Sequence, residues 1–255
     1  MSGPLVLAYH AVASCPNALA VAALSLELQV RGLLRRGHRP VTFAEAVAGP
    51  PSAGAGRRRL FAVTFDDGFR SVITRALPIL DRLAVPATVF LPTALLPERV
   101  SGDDRPLAWP GFTPSPMTED ELLPMSWEQV GGLVERGWEI ASHTATHPRL
   151  TSLDDRRLAH ELTSSRLVCE QRTGTACRTI AYPFGDVDDR VVAAAAQAGY
   201  TGGAAMSRLR CAGPLAVPRT GVYSHDTPRR FRLKTTPLVR SAPAEKALSR
   251  WHGVR

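Results

Sequence analysis

Two histidines four residues apart are the side chains in this sequence whose spacing first suggests chemistry: His143 and His147, in Ser142-His143-Thr144-Ala145-Thr146-His147-Pro148. On a helical turn this spacing puts both imidazoles on one face, where they can share a metal ion. Asp66-Asp67-Gly68 supplies two adjacent carboxylates. Two carboxylates in one tight site resist ionising together unless a cation offsets them. A metal ion on one would free the other to act as a general base. Two histidines and one carboxylate leave coordination positions open for water and substrate, which marks a catalytic rather than a structural ion. His10 and the Pro183-Phe184-Gly185 turn are the other polar features of this kind.

Each of these features ends an apolar run. Leu5–Tyr9 reads as a buried strand ending at His10, and Leu60–Phe65 as a strand stopping at Asp66. Trp138–Ala141 runs into Ser142-His143, and Thr179–Tyr182 into Pro183. Helical periodicity fills the intervals: a helix through Leu24, Leu28 and Leu33 closed by Gly37, one from Gly68 to about Ala84, then Trp127–Arg136, Asp154–Thr173 and Asp188–Ala198. Further strands are expected at Val41–Phe43, Ala87–Leu91, Tyr200–Ala205 and Ala216–Val222. Strands alternating with helices predict a parallel sheet or an α/β barrel, and in such barrels the reactive residues gather where strands end. Residues 92–124 hold seven prolines and read as a long irregular insertion.

The chain has 255 residues, 44% of them hydrophobic and 21% charged, which is ordinary globular composition and excludes a wholly disordered chain. The net charge is +8, but 29 of the 31 cationic residues are arginines scattered along the chain, so no nucleic-acid partner is expected. Cys15, Cys169, Cys177 and Cys211 form no CxxC pair, so free thiols are expected rather than a cysteine zinc site. No apolar run approaches the roughly 18 residues of a membrane span. No cationic segment precedes Leu5–Ala8, so a cytoplasmic location is expected. Residues 1–225 are expected to form the working domain. Residues 226–255 form a basic tail for which peripheral membrane contact stays open.

Taken together and in order, Thr64-Phe65-Asp66-Asp67-Gly68, Ser142-His143-Thr144-Ala145-Thr146-His147-Pro148 and Ala181-Tyr182-Pro183-Phe184-Gly185 closely resemble the motifs of the polysaccharide deacetylases, the NodB-type enzymes of carbohydrate esterase family four. The resemblance implies a distorted, incomplete (β/α) barrel of the NodB homology type. It also implies a metal-dependent hydrolase that removes an acetyl group from an N-acetylated carbohydrate. Asp67, His143 and His147 correspond to its metal ligands, Asp66 to its general base, and the Phe184 N–H to its oxyanion donor. The implied metal is Zn2+ foremost, with Co2+, Ni2+ or Fe2+ as alternatives. Two motifs depart from the pattern. There is no late Leu-x-His to protonate the leaving amine; His10 is preferred for that step, with His225 as the alternative. The third motif has Ala181 where relatives carry an arginine, and Arg219 is the candidate replacement as a partner for Asp66. Trp109, in the insertion, could stack on a sugar ring. Hydrolysis of another linear or cyclic amide, or an inactive carbohydrate-binding protein, are the alternative functions.

Overall fold

The structure, a computed structural model, describes residues 3–14, 17–49, 59–105, 107, 122–206 and 213–236. Nine strands form one sheet in which every pairing is parallel: β1 (Leu5–Tyr9), β2 (Arg39–Val41), β3 (Leu60–Phe65), β4 (Ala87–Leu91), β5 (Glu139–Ser142), β6 (Thr179–Ala181), β7 (Gly202–Ala205), β8 (Val217–Pro218) and β9 (Thr220–Gly221). Their order is β8-β7-β6-β5-β4-β3-β1-β9. The two outermost strands, β8 and β9, are consecutive in the chain and separated only by Arg219. The sheet therefore closes into a distorted (β/α) barrel, as the motifs imply. The distortion shows at β3, whose first half pairs with β2 at Leu60–Ala62 and whose second half pairs with β4 at Val63–Phe65.

Both faces of the sheet are covered, so the strands read as continuous apolar runs rather than alternating ones. Leu5, Leu7 and Tyr9 pack in the large core beneath α1 (Ala23–Arg35), α3 (Leu77–Arg82) and α4 (Trp127–Val134). Val6, on the opposite face of β1, packs in the barrel interior with Ala62, Phe90, Ala141, Ala181 and Ala204. Small residues keep this interior narrow. Phe43, at the start of α2 (Phe43–Ala48), fills it from the N-terminal ends of the strands. At that floor Glu139 accepts from the Ala44 N–H and the Thr88 hydroxyl, both at 2.8 Å, and from the Thr179 hydroxyl. The long helix α5 (Asp155–Thr173) and α6 (Asp189–Gln197) cover β5 to β7. Trp127 and Trp138 are buried in the core.

Two elements differ from expectation. The helix after Gly68 opens with a π-helical turn at Val72–Ala76 before α3. Pro78 has no N–H for the Thr74 carbonyl, and its ring crowds that turn, which widens it. The expected strand Ala216–Val222 is broken at Arg219, whose N–H turns to Ala205 O at 2.9 Å. Residues 226–236, read as the start of a tail, include α7 (Pro228–Lys234), which packs on α1 and buries Phe231 in the main core. Trp109 and residues 237–255 lie outside the described residues, as do Cys15 and Cys211. Cys169 and Cys177 are buried free thiols.

Candidate active site

His10, Asp66, His143 and Pro183 all follow the C-terminal residues of barrel strands, so the parallel sheet brings them to one rim. Asp67 turns into the left-handed region at φ 70°, and Gly68 continues the turn at φ 68°. A side chain at Gly68 would put its Cβ 2.9 Å from Leu91 Cδ2, so this reversal needs glycine twice over. The turn directs Asp67 Oδ1 toward both histidines, 3.4 Å from His143 Nε2 and 3.3 Å from His147 Nε2. One ligand atom from each of the three residues lies within 4.8 Å of the others, and all three residues are buried.

The histidine pair is not on a helical turn. Residues 143–147 form an irregular loop in which Thr144 (φ 67°) and His147 (φ 62°) are both left-handed. The imidazoles meet because the loop folds back on itself, which places their ring centroids 4.7 Å apart. Pro148 disfavours helical backbone at His147, which is one reason the turn fails to form.

The donor set fits a divalent ion. His143 Nδ1 lies 2.8 Å from Ala181 O, and a carbonyl can only accept, so Nδ1 carries a proton and Nε2, which faces Asp67, is the nitrogen placed to ligate. Electrostatics agree. Burial would raise the Asp67 carboxyl, yet the two imidazoles hold it far below the usual carboxylate range. Burial opposes charge on His143, but Asp67 and Asp66 keep its proton affinity above the ordinary value; burial and the charge of His143 push His147 below it. Two buried imidazoles facing one carboxylate oxygen make a place for shared positive charge.

Asp66 is bound differently. Arg219 closes on it as a bidentate fork, Nη1 to Oδ1 at 2.6 Å and Nη2 to Oδ2 at 2.7 Å, and also donates to Thr64 Oγ1 at 3.1 Å. Burial would raise the Asp66 carboxyl, but the guanidinium, with His143 and His10, holds it below its usual value. The guanidinium that pairs with Asp66 thus comes from the break between β8 and β9. His10 stands on the other side, with Nε2 3.9 Å from Asp66 Oδ2 and a side chain 16% exposed. His225 is exposed and stacked on Tyr223, at 5.5 Å and 8°. No described contact joins His225 to either aspartate. Phe184 sits at φ 60° in the turn after β6; its ring lies 4.8 Å from His147, is partly exposed, and carries the Arg149 guanidinium 4.3 Å from its centroid.

One residue beside the site escaped the motif reading. Glu161, on α5, accepts from the Ala145 and Thr146 N–H groups at 2.8 and 2.9 Å. Its signal in the sequence was position: a carboxylate between Leu158 and Leu162 lies on the buried face of that helix.

A family profile described as polysaccharide deacetylase matches residues 53–203, more than half of the chain. The Bacillus subtilis (strain 168) protein YxkH, described under the same name, is 23% identical over 195 residues, 76% of this chain and 61% of that protein. The chain thus spans about three fifths of that curated relative's length. The Streptococcus pyogenes deacetylase PplD, solved with acetate, superposes with a TM-score of 0.75 at 19% identity, covering 92% of this chain and 99% of that one. IcaB from Ammonifex degensii superposes with a TM-score of 0.70 at 22% identity, covering 90% and 94%. At these identities the two superpositions establish the fold.

Proposed function

Because this chain belongs to the polysaccharide deacetylase family, whose members are hydrolases of amide bonds, we propose that it removes the acetyl group from an N-acetylated amino sugar, free or within an oligosaccharide, polysaccharide or sugar conjugate. The observation that carries this reading is the pairing of two different aspartates at one rim. Asp67 faces two histidines, while Asp66 is withheld from them by Arg219.

Asp67, His143 and His147 would hold a divalent ion, with zinc the first choice for two imidazoles and a carboxylate. Such an ion would supply Lewis acidity: it would polarise an amide carbonyl and lower the pKa of water to about 7. That help matters, because a carboxylate held ionised by Arg219 is a weak base. Asp66 takes the proton of the attacking water on an oxygen already aimed by the guanidinium. As the C–N bond breaks and the new C–O bond is kept, the leaving nitrogen needs a proton. His10 Nε2 gives it, since it reaches the Asp66 carboxylate from β1 while His225 points to solvent. The products are acetate and a free amine. The Phe184 N–H is the proposed donor to the oxyanion.

Acetate release from N-acetylglucosamine oligomers should require added Zn2+ after chelation and disappear in Asp66→Asn. Zn2+ binding without release from any N-acetylated sugar would redirect the search to other linear or cyclic amides. Sugar binding without turnover would mark an inactive binding protein.

A further inference from the structure

Five consecutive N–H groups run through the loop that presents the histidines, and all five are satisfied. His143 N donates to Leu91 O at 2.8 Å. Thr144 N donates to Ser142 Oγ at 3.1 Å, and His147 N to Thr144 Oγ1 at 3.0 Å. The two between them, Ala145 N and Thr146 N, both donate to Glu161 Oε2. The other oxygen, Oε1, accepts from the Thr146 hydroxyl at 2.6 Å. Successive N–H groups converging on one anion form a nest, usually a binding concavity for an outside ligand. Here the anion is a side chain of α5.

Glu161 is 8% exposed, and among the described residues it has no cationic partner. A buried carboxylate without a cation is costly unless donors surround it, and the loop supplies all three. The dependence is mutual. Thr144 and His147 hold left-handed backbones that side-chain-bearing residues avoid, so the loop needs outside restraint to keep them. Thr93 N and Ala94 N fix the Thr144 and Ala145 carbonyls from the β4 side, at 3.1 and 2.9 Å. Glu161 fixes the opposite edge. Its absence need not undock α5, which is separately capped by Asp154 and buried through Leu158, Leu162 and Cys169.

We propose that Glu161 is a positioning residue for the metal ligands: by clamping Ala145 and Thr146 it sets where His147 stands relative to His143, and so sets the site's affinity for a divalent ion. This rests on reading Asp67, His143 and His147 as ligands, although Glu161 itself touches no reacting atom.

The test is Zn2+ titration of the full chain against a chromophoric chelator, at a temperature where each variant is folded by circular dichroism. Loss of a direct partner of a metal ligand costs about 10–100-fold in metal affinity. Glu161 acts through the two residues before His147, so a loss of about tenfold, the lower end of that range, is expected for Glu161→Ala. Glu161→Gln keeps an oxygen for both N–H groups and should retain most of the affinity. Leu162→Ala, on the same helix face, should lower the thermal midpoint and leave Zn2+ affinity unchanged. Wild-type affinity in folded Glu161→Ala overturns the proposal, as does an equal loss in Leu162→Ala, which would make the role merely structural. If Glu161→Ala does not fold, Thr146→Val decides, because it removes only the hydroxyl bond: weakened Zn2+ binding supports the clamp and unchanged binding overturns it. A wild-type chain that binds no Zn2+ refutes the ligand assignment itself, a separate result.

Discussion

At the scale of single residues, the site depends on keeping two neighbouring carboxylates apart in role. The backbone does this first, since the left-handed turn at Asp67 sends the two side chains in different directions. Arg219 does the rest. Replacing it with alanine leaves Asp66 buried without its cation, and removing one partner of a buried pair typically costs about 3–5 kcal/mol. Arg219→Ala should therefore lower the urea midpoint sharply and raise the Asp66 carboxyl, leaving less of the ionised base. Arg219→Lys keeps the charge without the fork, so it should recover more stability than acetate release. The proton donor is tested separately. General acid catalysis contributes about 10²–10⁴-fold, so His10→Ala should lower kcat by that order while His225→Ala stays near wild type. The reverse pattern would move the acid to His225. The carboxylates and histidines were legible because each set ends an apolar run and the motifs around them resemble those of the deacetylases. Arg219 was legible as a missing partner. Glu161 was not, because two of its three donors are backbone N–H groups, which leave no residue type to read.

At the scale of elements, the rim and the floor of the barrel do different work. The rim carries loops strained into place around the aspartates and histidines. The floor carries a buried polar junction, where Glu139 at the start of β5 ties Thr88 of β4, Thr179 of β6 and the first turn of α2 together. Burial raises the Glu139 carboxyl above its ordinary value, against the pull of the hydrogen bonds from Thr179, Ala44 and Thr88. The sign of its effect follows. The folded chain holds this proton more tightly than the unfolded one, so the group's contribution to stability falls as pH rises from the unfolded value through the folded one. Glu139→Gln removes the titration while keeping an acceptor. Urea unfolding should show wild type losing stability relative to Glu139→Gln as pH rises through that window, and a pH-independent difference would contradict this. Glu139→Ala leaves several donors unmet, which costs about 1–3 kcal/mol for each buried group. The strand and helix runs were legible from their periodicity. The loop at His143 was not: a four-residue spacing suits a helical turn and a folded-back loop equally, and the choice is made by Pro148 together with the Ser142, Thr144 and Glu161 hydroxyl and carboxylate groups.

At the scale of the whole molecule, closure of the barrel decides where the domain ends. The β8–β9 segment completes the sheet by pairing with β7 on one side and β1 on the other. A boundary at residue 225 looks natural in sequence, since Asp226 opens a basic stretch. Yet the Asp226 carboxylate is buried, accepts from Tyr223 N at 3.0 Å, and pairs with Lys234 at 2.7 Å and Arg230 at 3.1 Å. Lys234 also donates to Gly221 O at 3.2 Å, which fastens α7 to the strand that closes the barrel. Phe231 adds an aromatic ring to the core beside α1. Deleting a buried phenylalanine side chain costs about 3–5 kcal/mol, so Phe231→Ala should destabilise the chain by that order. Truncation after residue 225 should lower the urea midpoint further, because it removes the ring and strands the Gly221 carbonyl. Arg219 lies two residues from that carbonyl, so the truncated chain should also lose acetate release before it unfolds. A 1–225 chain with the full chain's midpoint and activity would place the boundary at 225 and reduce α7 to an appendage.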